Sequence, residues 1–226
     1  MSEPVAPAFY ALRTGGWRDY VTLLHLPYTA WNLGYVAIGA TLAPRFHADR
    51  LWLAFAAFFL ALGVAAHALD ELNGRPLRTR IPSATLVALA VATLAGSLAI
   101  GVYAAWAWGW WLLVFVALGG VLVPAYNLEW LGGAIHNAWG LALSWGAFPV
   151  LTAYFVEAQT IRVEAIGTAA FAAVLILAQR TLSTPVREAR RSRNTTEGTA
   201  ALERALRLMS IAVVLLAVGL VAGRLT

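Results

Sequence analysis

Long apolar runs alternate with short polar breaks along the whole chain. Positions 51–66 carry no charge at all, and runs of similar length recur on both sides of them. Seven spans can be drawn, over about 20–43, 51–71, 84–105, 109–126, 135–156, 163–182 and 206–225. Each approaches the ~20 residues a helix needs to cross the ~30 Å hydrocarbon layer of a bilayer. The runs are too long, and too rich in Ala and Leu, to read as strands. The pattern therefore predicts an all-α integral membrane protein, a bundle of about seven transmembrane helices. Positions 1–19 form an N-terminal segment and 20–226 a single transmembrane domain, with one long polar loop at about 183–203.

Composition agrees. Of 226 residues, 61% are hydrophobic and 12% charged, against about 25% charged in a soluble domain. Cysteine is absent, which excludes disulfides, thiolate nucleophiles and Cys-ligated metals. All sixteen basic residues are arginine, so lysine chemistry is excluded too. They lie in short loops beside apolar spans rather than in a stretch interleaved with aromatics. The net charge of +5 thus speaks for topology and not for nucleic-acid binding. The first twenty residues contain Pro4, Pro7, Arg13, Gly15, Gly16, Arg18 and Asp19, and no apolar leader core is visible.

Loop arginines set the expected orientation. Arg13 and Arg18 precede the first span. Arg75, Arg78 and Arg80 follow the second, and Arg187, Arg190, Arg191 and Arg193 follow the sixth, with Arg180 at its edge. Arg45, Arg50, Arg162 and Arg224 fall on the other side. The bias puts the N-terminus in the cytoplasm, in what is expected to be a prokaryotic inner membrane. The 183–203 loop reads as a solvated anchor, and its sequon Asn194-Thr195-Thr196 carries no expected role. The ten tryptophans chiefly mark the membrane interface.

Against this map the ionisable outliers gather at one depth. His67, Asp70 and Glu71 end the second span at helical offsets of three and four. His25 starts the first span on the same side, Glu129 follows the fourth and His136 starts the fifth. Only His47 falls on the opposite side. Ionisable groups in a membrane segment are functional candidates by default. Mixed imidazole and carboxylate donors suit iron, manganese or zinc, whereas an all-oxygen set suits magnesium or calcium. His25, His67, Asp70, Glu71, Glu129 and His136 are therefore candidate ligands for one or two divalent metals, with a transition metal favoured. Asp70 and Glu71 are the candidate catalytic carboxylates. Tyr28 and Asn32 share the face of His25 and can line the same cavity.

The motif around Asp70 resembles the UbiA-type intramembrane prenyltransferase superfamily. That family has Asn-Asp-x-x-Asp at the cytoplasmic end of its second helix, followed by Arg-Pro-Leu-Pro-x-Gly-Arg-Ile-Ser. Here the sequence reads Ala66-His67-Ala68-Leu69-Asp70, then Arg75-Pro76-Leu77-Arg78-Thr79-Arg80-Ile81-Pro82. His25-Leu26-Pro27-Tyr28, with Asn32 and Gly39, resembles the family's first helix. Tyr126, Gly140, Gly146 and Tyr154 resemble its fourth and fifth. The likeness covers roughly residues 20 to 185.

The resemblance implies a helical bundle around a cavity open to lipid, with two Asp-rich motifs holding magnesium and an isoprenoid diphosphate. Asp70 keeps the acid of the first motif, and His67 replaces its partner. The second motif, expected near Gln179-Arg180, has no aspartate, and about seven spans stand where the family has about nine. Arg75, Arg78, Arg80 and Arg180 can hold an anion in its place, beside Tyr126. Three functions follow as expectations. The first is a metal-dependent enzyme acting on a long apolar lipid or isoprenoid, with redox chemistry if the metal is iron. The second is a divergent magnesium-dependent prenyltransferase. The third is a non-catalytic lipid-binding or assembly subunit, with a protein partner or further copies completing the bundle.

Overall fold

Pro27 breaks the first apolar run. A proline ring clashes with the carbonyl four residues earlier and donates no hydrogen bond. The chain accordingly stops after α1 (Trp17–Leu23), turns at His25 in the left-handed region (φ 45°, ψ 46°) and restarts as α2 (Leu26–Leu42). The computed structural model describes residues 6–192, 194 and 196–226; Pro4, Arg193 and Thr195 of the sequon lie outside the described residues.

The remaining long helices are α3 (Ala48–Leu72), α4 (Ser83–Trp108), α5 (Leu112–Asn127), α6 (Ala138–Ala158), α7 (Val163–Ser192) and α8 (Glu197–Leu225), with a single short turn of helix, Trp130–Gly133, before α6. Among the described residues no strand occurs, and the chain is an all-helical membrane protein. Among the described residues five helices, α3, α4, α6, α7 and α8, are long and apolar enough to cross a membrane, and α5 is a shorter apolar helix. Outward faces stay apolar: Val91, Phe171, Val174, Leu208, Leu215 and Val218 are exposed, as expected of lipid-facing surface.

The less apolar α2 is the centre of the bundle, packed chiefly on α8 and α6, while α7 lies against α6. Trp31, Tyr35, Ile38, Val150, Ile176 and Val213 fill the core between these four helices. Val36, Leu51, Phe58, Leu62, Val123 and Trp145 fill a second core that joins α3 and α5 to it. Two glycines permit the tight crossings. A Cβ on Gly39 would sit 2.3 Å from the Val150 carbonyl oxygen, and one on Gly146 would sit 2.8 Å from that of Ala172. Small residues at helix crossings are the usual means of close approach where water supplies no driving force.

Two helices carry π-helical turns, Phe59–Ala66 in α3 and Ala142–Ala147 in α6. The second half of α7 is the chief departure from the expected layout. Positions 183–192, read as loop, continue the helix through Pro185. Ser183 and Thr184 both donate back to the Arg180 carbonyl there. Helix α8 likewise begins early, at a capping box between Thr196 and Thr199. Only a short connection remains where a long polar loop was expected.

Candidate functional site

One end of the bundle encloses a cavity of about 320 Å³. His25, Tyr28 and Asn32 of the α2 start, His67 and Asp70 of α3, Tyr126 of α5 and His136 before α6 all line it. So do Arg78 from the loop after α3 and Arg180 from α7. Four of the six candidate ligands, His25, His67, Asp70 and His136, thus line one cavity, and His47 stands at the other end. There its Nδ1 lies 2.9 Å from Glu157 Oε2, and Arg50 donates to the Val156 carbonyl.

Four sequence candidates are held elsewhere. Glu71 is wholly buried and turned away from the cavity. Its Oε2 accepts from the Leu77 N–H (2.9 Å), and its Oε1 from the N–H and hydroxyl of Thr79 (2.8 and 2.9 Å). It is a latch for the loop that carries Arg78. Neighbouring helical positions diverge by about 100°, so Asp70 and Glu71 serve different surroundings. Arg75 donates to the Ile81 carbonyl (2.6 Å) and the Ser83 hydroxyl (2.8 Å), stapling its own loop. Arg80 is exposed, and its N–H donates to Asp19 Oδ2 (2.9 Å). Glu129 is exposed outside the cavity and accepts from Asn73 (3.3 Å).

The charge balance of the wall is strongly positive. Arg78, Arg180, Arg187, Arg190 and Arg191 face two carboxylates, Asp70 and Glu203, and Glu203 is already paired with Arg190. Asp70 takes no hydrogen bond from any described residue. Arg187, Arg190 and Arg191 were read as a solvated anchor, and they escaped notice because 183–192 looked like loop. The seven-residue step from Arg180 to Arg187, with Ser183 between, was the available signal. On a helix these positions share one face.

The histidines have defined roles for their ring nitrogens. His67 Nδ1 lies 3.1 Å from the Gly63 carbonyl and His136 Nδ1 lies 2.9 Å from the Tyr126 carbonyl. A carbonyl only accepts, so both Nδ1 atoms carry a proton, and in a neutral ring the lone pair then lies on Nε2. His25 stacks on His67, and its Nδ1 meets the Tyr10 hydroxyl at 2.8 Å. Burial, with Tyr28 and Asp70 adding to it, pushes the Tyr10 phenol above its ordinary range, so it remains an O–H donor. His25 Nε2, Trp31 Nε1 and Asn32 Oδ1 are buried on this wall with no hydrogen-bond partner among the described residues. Each such orphan costs about 1–3 kcal/mol.

Among the described residues no three His, Asp or Glu side chains lie close enough to share an ion. The His25 and His67 rings are nearly parallel, so their in-plane lone pairs do not converge. Asp70 does fit a hard cation of the magnesium type. Such ions commonly take one or two protein carboxylates and complete their shell with water and substrate phosphate.

The Tyr126 hydroxyl accepts from Arg180 (3.2 Å), and its ring packs on both His136 and Trp145, with centroids 4.5 and 4.6 Å apart. Pro7, Ala8, Phe9 and Tyr10 of the N-terminal segment also line the cavity. Phe9 and Tyr10 pack edge-on against Tyr28, and Arg207 lies over the Phe9 ring. No known family, curated protein or solved structure matches the chain.

Proposed function

We propose that the chain is a membrane-embedded enzyme of UbiA-like architecture acting on an isoprenoid diphosphate, its polar cavity at the cytoplasmic face of a prokaryotic inner membrane. The carrying observation is the arginine-lined cavity with one free carboxylate at its wall, set at the end of an apolar bundle. In this reading α2 and α5 join the five long helices to give about seven crossings. The cytoplasmic placement follows from the arginines crowded at the cavity end.

Arg78, Arg180 and Arg187 hold the oxygens of the diphosphate and neutralise the charge that builds as its bond to the prenyl carbon breaks. Asp70 would hold magnesium, and the ion would supply further charge neutralisation when bound. The free Nε2 of His67 takes the proton of the acceptor that captures the prenyl group. Asn32, Trp31 and His25 offer hydrogen-bonding atoms that only a polar ligand or water satisfies.

A second reading rests on the two carbonyl-oriented histidines. Nδ1–H held by a carbonyl is how metal-ligating imidazoles are commonly fixed. His67, Asp70 and His136 would be the donors to iron, manganese or zinc once brought together, and the substrate would be an apolar lipid. Protein purified in mild detergent separates the readings. Magnesium-enhanced, saturable binding of geranylgeranyl diphosphate, with prenyl transfer to an aromatic or lipid acceptor, supports the first. Stoichiometric transition metal, lost in His67→Ala and in His136→Ala, replaces it with the second. Binding without turnover on any acceptor leaves a lipid-binding subunit.

A further inference from the structure

Residues 6–11 belong to no helix and still supply part of the cavity wall. The segment crosses between helices. On one side the Ala6 carbonyl accepts from Arg190 Nη1 of α7 (3.1 Å), and the Arg207 guanidinium of α8 lies 4.6 Å from the Phe9 ring centroid. On the other side the Tyr10 hydroxyl meets His25 Nδ1 at 2.8 Å, and Phe9 and Tyr10 stand edge-on to Tyr28 of α2. Laid this way, the segment straps α7 and α8 to the start of α2.

Its base is anchored separately. The Leu12 N–H donates to Thr22 Oγ1 (3.0 Å) and the Gly15 N–H to Asp19 Oδ1 (2.9 Å), both on α1. Residues 6–11 can therefore lift while the chain behind them stays tethered. What they hold is also what an anion needs. Arg190 gives Nε and Nη2 to Glu203 (2.8 and 2.5 Å), and the Ala6 carbonyl takes Nη1. A charged phosphate oxygen bonds a guanidinium more strongly than a neutral carbonyl does, so it outcompetes this contact.

We infer that residues 6–11 are an autoinhibitory strap: docked, they occupy Arg190 and the space between it and Tyr28, and an anionic ligand takes the cavity by displacing them. The inference rests on the diphosphate reading and adds what controls access to the site. Apparent affinity is the intrinsic affinity reduced by the fraction of molecules whose strap is lifted. By reciprocity, the ligand lifts the strap as strongly as lifting admits the ligand.

The test is calorimetric binding of inorganic pyrophosphate to detergent-purified protein. Phe9→Ala and Tyr10→Phe each remove a strap contact and leave every arginine in place. Each is expected to tighten pyrophosphate binding about fivefold, the factor one such contact contributes. Misfolding does not tighten binding, and an ordinary wall residue would weaken it or leave it unchanged when removed. The absence of cysteine gives a second readout. Ala8→Cys introduces the sole thiol and leaves the strap contacts intact. Saturating pyrophosphate is expected to speed its modification by a maleimide severalfold. Tighter binding in at least one strap variant, together with faster modification, supports the inference. Any other result with pyrophosphate bound overturns it and makes residues 6–11 a fixed wall. If neither pyrophosphate nor geranylgeranyl diphosphate binds wild type or variants, the diphosphate reading itself fails.

Discussion

His25 and His67 lie face to face, ring centroids 4.1 Å apart and planes 10° apart, although one starts α2 and the other lies near the end of α3. The contact joins two helix ends across the floor of the polar cavity. Replacing His25 by Phe keeps the stacked ring and removes both ring nitrogens, the one that meets Tyr10 and the unpartnered Nε2. That variant is expected to stay folded while the N-terminal segment loosens. Faster proteolysis within residues 6–11, at unchanged detergent melting temperature, is the measurement that checks it.

Arg187→Ala and Arg180→Ala are each expected to weaken prenyl diphosphate binding about tenfold or more, since each removes a charge-assisted hydrogen bond to the anion. Arg75→Ala should leave binding within about twofold, because that guanidinium is spent on Ile81 and Ser83. Equal losses in all three would mean that bulk positive charge, rather than the cavity, holds the ligand.

Glu71→Ala strips acceptors from two backbone N–H groups and one hydroxyl in a buried loop. A stability loss of about 3 kcal/mol is expected, from unsatisfied donors worth about 1–3 kcal/mol each and only partly rehydrated. Chemical unfolding followed by circular dichroism in detergent measures it. Asp70→Asn, by contrast, is expected to be close to neutral in the same assay and to abolish the magnesium enhancement of ligand binding.

Gly39→Ala places a methyl group against the backbone of Val150, which cannot move aside as a side chain tip would. A loss of about 1–3 kcal/mol is expected from overpacking, with Gly39→Leu failing to accumulate as folded monodisperse protein. Gly223→Ala, where nothing lies within 4 Å, is the matched control and should be silent in size-exclusion and melting measurements.

At the far end, Glu157 is buried and accepts from the backbone and ring of His47. Glu157→Leu is expected to lower the melting temperature while ligand affinity at the polar cavity stays within about twofold, since sites this far apart act almost independently. A parallel loss of affinity would show that the two ends are coupled.

The sequence made the long apolar helices and several polar residues of the cavity wall legible for one reason. In so apolar a chain, His25, His67, Asp70 and His136 stand out, and their depth follows from span boundaries alone. Whether Asp70 or Glu71 faced the cavity was not legible, since adjacent residues share a depth and differ only in azimuth. The α7 arginines were hidden by composition. Beyond Pro185 that helix leaves the apolar layer, and its polar turns look like loop. Its continuity depends on hydroxyls bonded back to the Arg180 carbonyl and on packing against the rest of the bundle. Tyr10 was hidden because its partner, His25, lies fifteen residues away across a helix break.

Glu71 also fixes when the disorder of Arg78 is removed. Leu77 and Thr79, the residues on either side of that arginine, are the two whose N–H groups Glu71 receives. Backbone freedom that a flexible loop would surrender on meeting a ligand is already gone when the chain folds. The entropic toll of ordering the loop, about 1–2 kcal/mol for each residue, then falls on folding rather than on association. Loosening the latch should therefore slow capture of the anion even where every cavity side chain is unchanged.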